Sequence, residues 1–136
     1  MLKVVVIDAN AISRNLLTSV LVSGGHDVVG DATTSPAGIA SMIKLRPQLV
    51  CIDIGEPNDA GLEKLDAVRT GLPKALVFLV SGKIDPATVQ LALERGVHGF
   101  IVKPFNGATV LTSIRNTIVK VARQHRATPN TEDNAG

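Results

Sequence analysis

The sequence predicts an α/β fold built on a five-stranded parallel sheet, and three observations lead there. Five short apolar runs alternate with five stretches of helical periodicity. The first, third and fourth runs (Lys3–Ile7, Gln48–Ile52 and Ala75–Val80) are apolar almost throughout, as strands covered on both faces are. Each helical stretch is long enough to act as a right-handed crossover between parallel strands, which no tight turn can do. At 136 residues the chain can bury a core of its own without disulfides or metal.

Taken in order, the first strand, Lys3–Ile7, ends at Asp8. Asn10 suits the N-cap of a helix whose Ile12, Leu16, Leu17, Val20 and Leu21 share a face, and Gly24-Gly25 stop it. A weaker strand runs from about Asp27 to Ala32. Ser35-Pro36 reads as an N-cap with proline in the first turn; Ile39, Met42 and Ile43 face inward, and Arg46-Pro47 ends that helix. The third strand then delivers Asp53 to its C-terminal end. Gly55, Pro57, Asn58, Asp59 and Gly61 follow, a cluster that breaks regular structure.

A helix bearing Leu62, Leu65 and Val68 ends near Gly71 and Pro73. Ala75–Val80 is the fourth strand, closed by Ser81. Asp85-Pro86 repeats the cap-and-proline pair and starts a helix with Val89, Ala92 and Leu93 inward, which Gly96 ends. The fifth strand, His98–Val102, stops at Lys103-Pro104. The last helix runs from about Asn106 to Gln124 on a stripe of Val110, Leu111, Ile114, Ile118 and Val121. Residues 1–126 therefore form one domain. The stretch 127–136 has almost nothing apolar to bury and is expected to be a disordered tail.

This alternation matches the doubly wound, flavodoxin-like arrangement with strand order 2-1-3-4-5 and helices on both faces. In such sheets a ligand site lies outside the C-terminal strand ends, here between the first and third strands. Asp8, Asp53, Ser81 and Lys103 each follow an apolar run at one of those ends. Singly, each has an ordinary structural reading as a cap, a turn residue or a surface lysine. Jointly they bring two acids, a hydroxyl and an ammonium to one sheet edge.

Composition narrows the function classes. Three Phe with no Tyr or Trp leave no stacking platform for single-stranded nucleic acid, and a net charge of +2 gives no bulk attraction to one. Cys51, the lone cysteine, lies inside an apolar run and reads as an inert core residue of a reducing compartment. Asp8 interrupts the first apolar run too early for a signal peptide, and no stretch approaches the ~20 apolar residues of a membrane span. A cytoplasmic protein without direct nucleic-acid or membrane contact is expected. His26, His98 and His125 fall in separate segments and make no metal set; loop or solvent-facing positions are expected for them.

Four motifs resemble those of the receiver domain of two-component response regulators: Val5-Val6-Ile7-Asp8, Leu49-Val50-Cys51-Ile52-Asp53, Leu79-Val80-Ser81-Gly82, and Gly99-Phe100-Ile101-Val102-Lys103-Pro104-Phe105. The resemblance covers residues 1 to about 125. It implies that Asp53 accepts a phosphoryl group from a histidine kinase or phosphotransfer protein. It further implies that Lys103 and Ser81 contact that group, that Ser81 and Phe100 form the switch, and that Lys103-Pro104 is cis. Mg2+ is the implied cofactor, on Asp8, Asp53 and the Gly55 carbonyl. The implied role is signalling rather than enzymatic, with output to a protein target across the fourth helix, fifth strand and fifth helix, a face on which a homodimer is also a candidate.

One departure from the family pattern is Ala9, where a second adjacent acid is usual. An ion pair at ~4 Å and a dielectric of ~20 is worth about 4 kcal/mol before desolvation, so a weakened Mg2+ site is expected. Glu56 and Asn10 are candidate auxiliary ligands. Lys83 and Gly55 occupy positions that in the family influence loss of the phosphoryl group. Ala9 also supports the alternative of a phosphorylation-independent pseudo-receiver that only binds partners. A phosphohydrolase of haloacid dehalogenase type would need an acid where Asn10 stands, and a flavin site would need a hydroxyl-rich loop that residues 9–13 do not supply.

Overall fold

In the computed structural model, which describes residues 2–135 and their side chains through Gln124, β1 (Lys3–Ile7), β2 (Asp27–Ala32), β3 (Leu49–Ile52), β4 (Leu76–Ser81) and β5 (Gly99–Val102) form one sheet. All pairings are parallel and the order is β2-β1-β3-β4-β5. The connections are α1 (Ala11–Ser23), α2 (Pro36–Lys44), α3 (Asp59–Gly71), α4 (Pro86–Glu94) and a final α5 (Gly107–Ala135). No helix among the described residues is long and apolar enough to cross a membrane.

Strand alternation divides the core into two clusters, one on each face of the sheet. Val5, Ile7, Val50, Ile52, Val77 and Leu79 pack beneath α2, α3 and α4, meeting Ile39, Met42, Leu65, Val68 and Ala92. Val4, Val6, Leu49, Cys51, Phe78 and Val80 face α1 and α5, meeting Leu17, Leu21, Val110 and Ile114. Each aliphatic side chain so enclosed contributes about 1.5–3 kcal/mol relative to exposure. Phe78 is the one fully buried aromatic among the described residues. Its ring fills the space over Gly99, where a Cβ would lie 2.6 Å from it.

The caps behave as their residue types dictate. Asn10, Ser35 and Asp85 accept the backbone N–H of Ser13, Gly38 and Thr88, and Asn58 and Asn106 do the same for Gly61 and Thr109.

Two expectations are corrected. On α1 only Leu17 and Leu21 are fully buried; Ile12 and Leu16 are 73% and 57% exposed. At helical pitch they are rotated from Leu17 by about 140° and 100°, outside the stripe that one sheet can cover. On α4 the buried pair is Thr88 and Ala92, with Leu93 52% exposed, again one step round the helix. The backbone of α5 continues to Ala135. Extending an existing helix adds one hydrogen bond for each residue fixed and needs no apolar burial.

His26 and His98 stand outside the helices and strands, as expected. His98 is exposed just before β5, and its Nδ1 accepts the Val77 N–H at 3.1 Å, at the start of the β4–β5 pairing. The Nδ1 of His26 is buried without a partner, and the His125 side chain lies outside the described residues.

Gly99→Ala should destabilise the fold by about 1–3 kcal/mol through overpacking. Combining it with Phe78→Leu should cost less than the sum of the two single changes in urea unfolding; strict additivity would separate the two sites. For His98, burial and then the Arg69 charge hold the imidazole below its ordinary value of 6.5. The unfolded chain therefore takes up the proton first, so the stabilisation from His98 is complete above 6.5 and is lost as pH falls. The stability difference between wild type and His98→Gln should shrink from neutral to mildly acidic pH. Parallel stability curves would contradict this.

Candidate functional site

Backbone register brings the two acids together. Ile7 pairs with Ile52, so the next residue of each strand, Asp8 and Asp53, emerges at the same level. The Asp53 N–H donates to the Ile7 carbonyl at 2.9 Å. Farther along the sheet Ser81 pairs with Val102, and the Lys103 N–H donates to the Ser81 carbonyl at 2.9 Å. The Lys103–Pro104 peptide is cis.

From there the Lys103 ammonium spans β4 and β3. Its Nζ lies 2.6 Å from Asp53 Oδ2 and 2.8 Å from Asp8 Oδ2. The other carboxylate oxygens are held by backbone: Asp8 Oδ1 accepts the Asn10 N–H, and Asp53 Oδ1 accepts the Gly55 N–H, both at 2.8 Å. Gly55 achieves this at φ +77°, a conformation that favours glycine. Arg14 braces the other side, with Nη1 donating to the Asp8 carbonyl at 2.7 Å and Nε paired with Asp31 at 3.2 Å.

Burial opposes the charge on Lys103. Its hydrogen bonds to Asp53 and Asp8, together with their negative charges, outweigh that and raise it above its ordinary value of 10.5. The arrangement is a charge-assisted clamp in which one cation neutralises part of two anions.

These groups open on a cavity of about 260 Å³ lined by Asp8, Ala9, Asn10, Thr34, Asp53, Ile54, Gly55, Lys64 and Lys103. A larger cavity of about 670 Å³ lies at the opposite end of the strands, where Leu2, Pro47, Leu72 and Ile118 are among its walls. It contains no acid, so the smaller one is the candidate site.

Of the residues singled out from sequence, Asp8, Asp53, Gly55, Asn10 and Lys103 meet here. Asn10 is committed on both counts, its N–H to Asp8 and its side chain to capping α1. Ser81 is not among the lining residues: its hydroxyl donates to the Lys83 carbonyl and accepts the Lys83 N–H, each at 3.1 Å. Lys83 and Glu56 are exposed and also stand outside the cavity wall. Phe100 is half-buried against the cluster beneath α3 and α4.

Sequence reasoning missed Arg14, Thr34 and Lys64. Lys64 carried a usable signal, since it follows Gly61 by three residues and precedes Val68 by four on the inward side of α3.

The two carboxylates are hard oxygen donors of the kind that suit Mg2+ with several waters retained. Among the described residues no group of three His, Cys, Asp or Glu side chains converges, so the set stops at two acids. Cys51 is no competitor, because complete burial pushes its thiol up to about 12.

Comparison with known proteins agrees on one family. A family model described as the response regulator receiver domain matches residues 4–115. The chain is similar to chemotaxis protein CheY of Thermotoga maritima, at 28% identity over 82% of this chain and 93% of that protein. It is also similar to a protein-glutamate methylesterase/protein-glutamine glutaminase of Geobacter sulfurreducens, at 37% identity over 79% of this chain but only 29% of that protein. The solved structure of Vibrio cholerae chemotaxis protein CheY4 superposes with a TM-score of 0.74 at 25% identity, covering 86% of this chain and 98% of that one.

Lys103→Met leaves two adjacent carboxylates without their shared cation. The expected loss is about 1–3 kcal/mol, below the ~3–5 of a fully buried pair because the ammonium retains some water. Adding Asp8→Asn should recover part of it. Because the folded chain raises the Lys103 pKa, its contribution is complete below 10.5 and is lost as pH climbs through the folded value. Wild type and Lys103→Met should thus converge in urea stability in the alkaline range; a constant gap there would refute the clamp.

Proposed function

Because the chain belongs to the response regulator receiver domain family, we propose that it accepts a phosphoryl group on Asp53 and relays that event to a protein partner. The donor is a histidine kinase or phosphotransfer protein carrying phosphohistidine. The receiver unit spans residues 1–126. The observation that carries the reading is the pairing of Asp53 with Asp8 on one ammonium, Lys103 Nζ, at 2.6 and 2.8 Å.

The transfer needs little covalent work from the protein beyond the nucleophile. An Asp53 carboxylate oxygen forms the new P–O bond as the P–N bond to the donor imidazole breaks. The imidazole nitrogen keeps that electron pair and takes a proton. Gly55 N–H on Oδ1 and Lys103 on Oδ2 orient the carboxylate before attack. Lys103 then neutralises charge on the phosphoryl oxygens. Mg2+ bound by Asp8, Asp53 and the Gly55 carbonyl would supply further neutralisation of those oxygens.

The switch follows from what Ser81 does before phosphorylation. Its hydroxyl is occupied by the Lys83 backbone, on both its donor and acceptor sides. A phosphoryl group on Asp53 is a stronger acceptor than the Lys83 carbonyl. Turning the hydroxyl toward it releases the Lys83 segment, and the half-buried Phe100 beside it can repack. Leu93 on α4 and Val102 on β5, 52% and 54% exposed, offer apolar contact to a downstream protein or a second copy.

The second reading is a phosphorylation-independent module that uses the same fold only to bind. Ala9 favours it, since the donor set stops at two acids. Incubation with a small phosphodonor and Mg2+, followed by intact-mass measurement, discriminates. A phosphate adduct is expected in wild type and absent from Asp53→Ala. Folded wild type that takes no adduct at any Mg2+ concentration would establish the binding module instead.

A further inference from the structure

The cavity beside Asp53 is lined by a second lysine that the reading above does not use. Lys64, on α3, lines it together with Asp8, Asp53 and Lys103. The same side chain lines the groove between α2 and α3 beside Ile39 and Ala60. A lysine in that position rests its stem on apolar surface and keeps its head at the polar edge. Among the described residues the ion pairs are Arg14–Asp31, Arg95–Asp66 and the two of Lys103, so Lys64 has no anionic partner there, although Glu63 is its neighbour in sequence.

Counting charge in the cavity gives the consequence. Asp8 and Asp53 contribute two negative charges and Lys64 and Lys103 two positive ones, so the wall balances at zero, with Ala9 adding nothing. A phosphoryl group on Asp53 replaces one negative charge by about two. With Lys64 the excess is one charge; without it, two. Thr34, a neutral residue, lines the same cavity.

We propose that Lys64 is a second phosphoryl-binding cation of this site, contacting the group carried by Asp53 and partly doing the work of the carboxylate–metal pair that Ala9 leaves incomplete. This rests on the receiver reading for the identity of the anion, but the placement of the cation does not. A cation beside a divalent-metal site also repels the metal. Lys64 should therefore strengthen anion binding and weaken Mg2+ binding at once, and by more than a solvated, screened lysine at the rim would.

The test uses the whole chain with Lys64→Gln and Lys64→Arg. Mg2+ affinity is measured by NMR titration in the otherwise wild-type protein. Binding of inorganic phosphate is followed at the Gly55 amide, without Mg2+, in an Asp53→Asn background where no covalent adduct forms. Lys64→Gln should tighten Mg2+ and weaken phosphate, each by roughly three- to tenfold after screening. Lys64→Arg should retain both wild-type affinities. Unchanged Mg2+ affinity in Lys64→Gln, or no loss of phosphate binding, overturns the proposal. A wild type that forms no adduct with a small phosphodonor would instead overturn the acceptor reading, and the two affinity measurements would still decide the place of Lys64.

Discussion

Two carboxylates at the ends of neighbouring strands share one ammonium, and the rest of the site is built around that contact. The register of β1 and β3 leaves Asp8 and Asp53 no choice but to lie side by side. Both are largely shielded from water, where like charges repel strongly. Lys103, 2.6 and 2.8 Å away, makes the arrangement tolerable. Its reach depends on Lys103 following directly after the Val102–Ser81 pair that ends β5, before the cis peptide to Pro104.

The scaffold holds this electrostatic arrangement at little local cost. Strands buried on both faces end together, so the charged groups emerge from the most rigid part of the molecule. Loops leaving the strands are tied at once: Asn10 and Gly55 give their N–H groups to the acids, while Asn58 and Asp85 cap the helices beyond. Gly61 belongs to the same economy, because a Cβ there would collide with the Glu56 carbonyl of the loop after Asp53. That loop therefore lies directly on the first turn of α3, the helix that carries Lys64 to the cavity.

Most elements were legible because their signals are local. Apolar runs gave the strands, and cap residues followed by proline gave the starts of α2 and α4. The two misjudged helix faces share a cause. Ile12 and Leu93 are apolar and at helical spacing, yet a helix on a sheet buries a stripe too narrow to include them. Ser81, at the end of β4, bonds to the Lys83 backbone two residues away, a local partner that its sequence position does not announce. Glu56, a candidate substitute for the acid missing at Ala9, is exposed in the loop after Asp53.

By itself the sequence determined the order of elements, the parallel sheet and the identity of the residues at its C-terminal edge. These follow from periodicity, caps and chain connectivity, all carried by residues close together in the chain. Only the tertiary structure decided which edge residues touch. Lys103 and Asp8 are separated by 95 positions in the chain, and Lys64 stands between them in sequence on a helix of the other face. Distances of a few ångströms between such residues depend on strand register and helix rotation. One step of either changes the face or the direction of a side chain, and no local pattern encodes that choice.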